Sequence, residues 1–409
     1  MIIIAQNQKD VKVDFSKDYK VSNFGAGDLL EKKTLQQKTV PQSFVLDYKG
    51  RESTPAIYIM QCTGGKYDEG RSTGELTFNK FNTAGNRTSI MELRHSHSKT
   101  EPVCVDNIWY ETGNAKGFGH GSQIGIEYDS NGKTFFWTDI NSPVTDTTWT
   151  NANLISSISV FGIQVARFEY TAGRLVKPHS RGIEWLHWKQ LGLDPDTSLY
   201  SNASLSIDNA NKRLAIKYSY CGVMHFAVYD MFYTKEYKEN PIISNIKFVL
   251  ASKSIAPKFM WWTCDNEGKS TNVKTAHTSN GWALFGDYIY AGYSTAYFST
   301  NNRVGQKTMF SPTPEDVRNG IYYGDGKKVA KAGNTHVLTY DWKEDMKCVD
   351  ETLIDIGDNL VFRELEGIFI QPEMEECMVK SLNMRFIFAG GETGSRTWSM
   401  FENKTEILN

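Results

Sequence analysis

Apolar and polar residues alternate in short runs along most of this chain, and Gly, Asn or Asp closes most runs. A period of two puts alternate side chains on opposite faces of an extended strand, so the pattern predicts β-structure throughout. Ile124-Gly-Ile126-Glu-Tyr128, then Asp129-Ser130-Asn131-Gly132, then Thr134-Phe-Phe-Trp137 reads as a hairpin around an Asn-Gly turn. Leu205-Ser-Ile207 and Leu214-Ala-Ile216, joined by Asp208-Asn209-Ala210-Asn211, read as another. Helical spacing is rare. The best candidate is 182–191, where Ile183, Leu186, Trp188 and Leu191 share a face, with a briefer stretch at 29–37.

The hairpins recur. Phe44, Ile124, Leu205, Ala283 and Ile368 each sit in the first strand of a unit, at intervals of 80, 81, 78 and 85 residues. The second halves echo one another too, in Leu76 to Phe78, Gln164 to Phe168 and Thr335 to Tyr340. Repeats of one supersecondary unit bury each other's faces, and four strands per unit in five units predict a five-bladed β-propeller, an all-β fold. The expected organisation is an N-terminal arm at 1–40, which lacks the pattern, and the propeller at 41–409. The surplus at 295–333, with Pro312, Pro314, Gly320, Gly324 and Gly326, is expected to be a long loop or a small projecting subdomain.

Charge changes the picture little, since 45 Lys+Arg against 47 Asp+Glu leave a net −2, which offers no basic field for nucleic acid. No window holds 18 apolar residues in a row, and Met1-Ile2-Ile3-Ile4-Ala5 is too short for a signal sequence. A protein made in the cytoplasm, with no membrane span, is the expectation. The six cysteines (62, 104, 221, 264, 348 and 377) show no CxxC spacing, so six buried free thiols are expected rather than disulfides or zinc. The aromatic share of 13% suits strand packing and flat recognition surfaces alike.

Gly117-Phe-Gly-His120-Gly-Ser-Gln-Ile-Gly-Ile-Glu127 with Phe135-Phe-Trp137-Thr resembles the second-blade signature of a propeller family that includes helveticin-type bacteriocins and receptor-binding proteins of staphylococcal phages. Glu366-Gly367-Ile368 with Gly390-Gly391 to Arg396 is similar to that family's last blade, and Gly74-Glu-Leu to Gly85 with Met91-Glu-Leu93 to its first. The resemblance spans 42–409. It implies a non-catalytic, trimeric phage tail fibre that docks on cell-wall teichoic acid, located in the virion tail. It also implies attachment to other tail proteins through 1–40 and a tower domain near 295–333, with no cofactor.

A glycosylated polyol phosphate asks for donors to phosphate, flat apolar faces for sugar rings, and amides or carboxylates for hydroxyls. Several weak sites on one trimer would suffice through avidity. His120, flanked by glycines, reads either as a channel-facing phosphate donor or as a structural imidazole. Glu127 and Glu366 read equally as channel structure or ligand contact. His179, Arg181, Trp185 and Trp188, around His187, form the best sugar-phosphate cluster in the sequence, and Trp261-Trp262 is the pair expected to expose one ring. His95-Ser-His97 has metal-like spacing but only Glu101 nearby, so no metal is expected. Two alternatives stand beside the receptor reading. One is a glycosidase or teichoic-acid-degrading enzyme using a pair among Glu127, Asp139, Asp208, Asp287 and Glu366; the other is a helveticin-like bacteriocin.

Overall fold

The computed structural model describes residues 11–13, 20–21, 41–48, 55–62, 76–93, 103–105, 108–110, 118–119, 123–140, 163–176, 180–234, 242–257, 263–264, 277–295, 335–354, 365–375, 378–390 and 397–407. Alternating strands closed by tight turns fold back on their neighbours, and five antiparallel sheets result, with a separate hairpin of Val103–Val105 and Ile108–Tyr110. From the innermost strand outward, blade 1 is Pro41–Asp47, Ala56–Cys62, Leu76–Phe81 and Arg87–Leu93. Leu175–Val176 runs parallel along its outer edge. Blade 2 is Gly125–Tyr128, Thr134–Ile140, Gln164–Phe168 and Ile183–Leu186; blade 3 is Tyr200–Asp208, Arg213–Tyr220, Val223–Tyr233 and Ile246–Ile255. Blade 4 is His277–Phe285, Tyr288–Thr295, Thr335–Asp341 and Lys347–Ile354, with Thr263–Cys264 paired inside the first of these. Blade 5 takes Leu365–Glu375, Met378–Gly390 and Thr397–Glu406 from the C-terminal end of the chain, and Lys20–Val21 completes its outer edge.

Packing closes the ring. Each of five apolar clusters fills one seam, joining blades 1 and 2, 2 and 3, 3 and 4, 4 and 5, and 5 and 1. Both faces of the inner strands are therefore buried, and adjacent residues of one strand can serve different seams: Trp185 packs toward blade 1 and Leu186 toward blade 3. This is a five-bladed β-propeller, as the repeat predicted. Backbones come closest where side chains are smallest. A Cβ on Gly281 of blade 4 would lie 2.6 Å from the Cα of Gly367 in blade 5, so these innermost strands come this close only with glycine at 281.

Pieces of the 1–40 segment lie on the ring itself. Lys20 and Val21 pair with Glu402 and Phe401, and the buried Val13 donates its N–H to the Tyr290 hydroxyl of blade 4 at 3.0 Å. The helix expected at 182–191 is absent. Ile183–Leu186 is the outermost strand of blade 2, and Trp188–Leu191 is a 3₁₀ turn capped by His187 before it and by left-handed Gly192 after it. The expectation of buried thiols also fails at two positions, since Cys221, in the turn between two blade 3 strands, and Cys348, on the outer strand of blade 4, are free but exposed. The 295–333 surplus and the helix-like 29–37 lie outside the described residues, apart from Thr295 at the end of a strand. No helix among the described residues is long and apolar enough to cross a membrane.

Candidate functional site

Up-and-down strand order fixes which connections share an end of the ring. Turns from first to second and from third to fourth strands lie at one end, and the remaining connections lie at the other. Among the described residues the first end carries the tight turns at 129–133, 209–212, 286–287 and 342–346 and is locked by polar bonds between blades. The Tyr128 hydroxyl donates to Asp47 of blade 1 at 3.1 Å, while the Asn209 amide of blade 3 bonds the Tyr128 N–H and the Ile126 carbonyl. Blade 3 is zipped to blade 4 by three polar side chains on alternate residues of its innermost strand. Ser204 Oγ accepts from Trp282 Nε1 at 3.2 Å, Ser206 Oγ from the Leu284 N–H at 3.0 Å, and the Asp208 carboxylate from the Gly286 N–H at 2.8 Å.

Such joints engage three of the five carboxylates that sequence nominated, Glu127, Asp208 and Asp287. Glu127 is fully buried, accepts from Trp137 Nε1 at 2.6 Å and from Arg167 Nη1 at 3.0 Å, and so anchors an ion pair inside the seam between blades 2 and 3. Arg167 also bridges to Glu184 and Asn245, and its guanidinium lies 4.5 Å from the Phe135 ring centre. Burial pushes the Glu127 carboxyl upward against the opposing pull of Arg167. Asp208 is likewise raised by burial and is further bonded by Asn211. Asp287 pairs with Arg213 and Lys343. Asp139 is buried and accepts from the Thr138 hydroxyl at 3.2 Å, and Glu366 is buried within a strand irregularity of blade 5.

Trp185 and Trp188 are core residues, each only 1% exposed, with Trp188 stacked on Tyr200 at 4.4 Å. Arg181 is exposed at the tight-turn end, before the strand that carries Trp185, and its carbonyl accepts from Arg174. Arg181 and Trp188 therefore flank opposite ends of Ile183–Leu186, and these two described members of the expected cluster are not brought together. His120, His179, Trp261 and Trp262 lie outside the described residues, as do His95 and His97. Among the described residues, no group of His, Cys, Asp or Glu could hold a metal ion.

At the opposite end, the innermost strands share a feature that sequence reading missed. The register of the ladder slips between Pro41 and Ser43, Ser201 and Ser204, Ser279 and Trp282, and Leu365 and Gly367. All four slips fall just before the repeat anchors Phe44, Leu205, Ala283 and Ile368. Extra residues in a ladder bend the strand and re-aim its side chains, a device common beside functional sites. Asn202 and Gly281 take left-handed φ values of 54° and 83° to make two of these bends. The slipped positions bring Gln42, Asn202, Asn280 and Glu366 to the start of the inner strands.

Blade 2 contributes Gln123 at the matching place. Its Nε2 donates to the Trp282 carbonyl at 2.7 Å, reaching from blade 2 to blade 4 past the innermost strand of blade 3. Gln123 is 4% exposed, and its Oε1 finds no hydrogen-bond partner among the described residues. The repeat alignment marks this position, because Gln123 immediately precedes the anchor Ile124.

No protein-family model matches the chain, and no curated protein matches it. Among solved structures it is similar to the tail fiber of Staphylococcus aureus phage P68, with a TM-score of 0.47 and 13% identity over 95% of this chain and 52% of that one. The chain thus spans about half the length of that fibre. It is also similar to the endo-1,5-alpha-L-arabinanase from Thermotoga petrophila RKU-1, with a TM-score of 0.30 and 8% identity over 95% of this chain and 90% of that one. Likeness at this level assigns neither ligand nor activity.

Proposed function

We propose that this chain is the receptor-binding propeller of a phage tail fibre, acting in the virion tail, and that it recognises host wall teichoic acid without hydrolysing it. The observation that carries this reading is the fate of the inner carboxylates. Glu127 is held by Arg167, Asp208 by Gly286 and Asn211, and Asp287 by Arg213 and Lys343, each in a joint between or within blades. A glycosidase needs two carboxylates facing a scissile bond, whereas these face their own partners. At this end of the inner strands the chain places amides, Gln42 and Asn202 at slipped positions and Gln123 just before the first strand of blade 2, which suit a neutral, hydroxyl-rich polymer.

The family resemblance of 42–409 supplies the receptor class, and the net charge of −2 fits binding through many weak contacts rather than through bulk attraction. In this reading the chain forms a homotrimer, segment 1–40 contacts other tail proteins, and 295–333 forms the tower. Purified protein is expected to sediment with staphylococcal walls and not with walls stripped of teichoic acid; equal sedimentation with both would refute the proposal. Release of soluble sugar or polyol phosphate from purified polymer would replace it with the hydrolytic reading, and killing of cells by the protein alone with the bacteriocin reading. Light scattering is expected to return the mass of a trimer.

A further inference from the structure

The outer rim of blade 3 is apolar. Seven large apolar residues are exposed among the described residues, and five of them, Val223, Phe232, Val249, Leu250 and Ile255, lie on the two outer strands of this blade. Phe232 pairs with Lys247, and Val249, two residues on, shares that face; Leu250 pairs with the buried Tyr229 on the other. Apolar side chains thus wrap the edge of Ile246–Ile255, and a surface that covers them must meet the rim edge-on. An exposed apolar patch of this kind marks an interaction surface.

The edge is guarded against simple strand addition. Ala251 is the extra residue of a bulge, since Leu250 pairs with Tyr229 and Ser252 with the adjacent Val228. Lys247 and Lys253 stand three residues either side of Leu250, so pairing of this strand with itself about Leu250 would oppose lysine to lysine. The strand carries no acid, and a surface that joins an exposed apolar residue to acidic groups complements it. The chain has such a surface. The outer strand of blade 4 exposes Val349 beside Cys348 and Glu351, and the turn before it exposes Glu344 and Asp345. The remaining exposed apolar residue, Leu175 at the edge of blade 1, follows the exposed Arg174 instead.

Position around the ring points the same way. With five blades, adjacent rims face about 72° apart. Copies joined rim to rim, with their axes parallel, close a ring of three when the two contacts are about 60° apart and a ring of four at about 90°. Blades 3 and 4 come closest to the ring of three, whereas blades 3 and 1, about 144° apart, close no small ring.

We propose that the rim of blade 3 docks on the outer strand of blade 4 of a second copy, and that three such head-to-tail contacts close a trimer. Val249 and Leu250 lie against Cys348 and Val349 of the next copy, and Lys247 and Lys253 face its acidic groups. The proposal gives the homotrimer of the receptor reading an interface, and in that respect rests on it.

Light scattering and thiol cross-linking of the full chain test this. The unsubstituted protein is expected at trimer mass and Leu250→Glu at monomer mass, with an unchanged far-UV spectrum because residue 250 is 51% exposed. Cys221→Ser removes the other exposed thiol among the described residues. In that background, Leu250→Cys is expected to give covalent dimers and trimers with a short bis-maleimide, and Cys348→Ser to abolish them. A monomeric unsubstituted protein, a Leu250→Glu protein that stays trimeric, or cross-linking that survives Cys348→Ser would each overturn the interface. Wall sedimentation separates it from the receptor reading, since Leu250→Glu is expected to bind walls selectively but more weakly for want of avidity. Selective wall binding by a protein whose mass ignores Leu250→Glu leaves the receptor reading standing without this interface. A trimer that behaves as described and ignores walls leaves the interface standing without the receptor reading.

Discussion

Replacing Lys217 by Met is expected to make the protein more stable. The methionine keeps most of the aliphatic stem and removes an ammonium that is 9% exposed. With the folded-state pKa near 8 against an ordinary 10.5, the buried amine costs about 3 kcal/mol at neutral pH. The unfolded chain binds the proton more tightly, so the cost is complete below about pH 8 and shrinks as pH rises toward 10.5. At about pH 9.5 roughly 1.5 kcal/mol should remain. The other charged groups on this face, Asp208 and Arg213 with Asp230 of blade 3, and Asp287 and Lys343 of blade 4, are bonded at the tight-turn end. They are common to both proteins and cancel in the comparison. For a chain of this length, about 3 kcal/mol corresponds to a rise of roughly 3–4 °C in melting temperature. Paired melts of the two proteins from about pH 7 to pH 9.5 measure the difference. A destabilised Lys217→Met at neutral pH, or a gap that stays constant across the range, would show that burial does not lower the Lys217 pKa in this way.

Other joints give independent tests. Arg167→Met leaves Glu127 and Glu184 buried without their guanidinium, so a loss of about 3–5 kcal/mol is expected in denaturant titration, and a change below about 1 kcal/mol would contradict the ion-pair assignment. Glu127→Gln should lower stability while leaving wall binding intact in whatever protein remains folded; loss of binding with stability preserved would instead make Glu127 a ligand contact. Gly281→Ala sets a Cβ 2.6 Å from the Gly367 Cα at a residue whose φ is 83°, and soluble yield and melting temperature should fall sharply, with normal values refuting the close approach of blades 4 and 5. Deleting residues 1–21 removes the outer strand of blade 5 and the Val13 contact, so amides of Thr397–Glu406 should exchange faster with solvent; unchanged protection would mean that the C-terminal strands close the blade unaided.

The ring was readable because each innermost strand has the same job. Ser204, Ser206 and Asp208 each meet a residue 78 positions later, and Asp47 meets Tyr128 at a separation of 81, so the sequence intervals are contact distances along a repeated joint. Reading failed where a strand's surroundings, and not its period, decide the outcome. Ile183, Leu186, Trp188 and Leu191 mimic a helical stripe because a strand buried on both faces shows no polar side, and the turn after it adds further apolar positions. Glu127 looked like a channel carboxylate because nothing local reveals that Arg167, forty residues on, lies against it. The polar seam between blades 3 and 4 was hidden by the same logic with the opposite sign. In Arg213–Tyr220, Leu214, Ile216 and Tyr218 make one apolar face, and Ala215, Lys217 and Ser219 make the other. Taken as an isolated hairpin, that second face belongs to solvent and a lysine on it means nothing. Within a closed ring both faces of the inner strands are covered by neighbouring blades, and outer-strand positions such as Leu250 and Ile255 stay exposed. The polar residues that Tyr200–Asp208 presents to the next blade are accordingly used as joints, Ser204 and Ser206 accepting from Trp282 and Leu284.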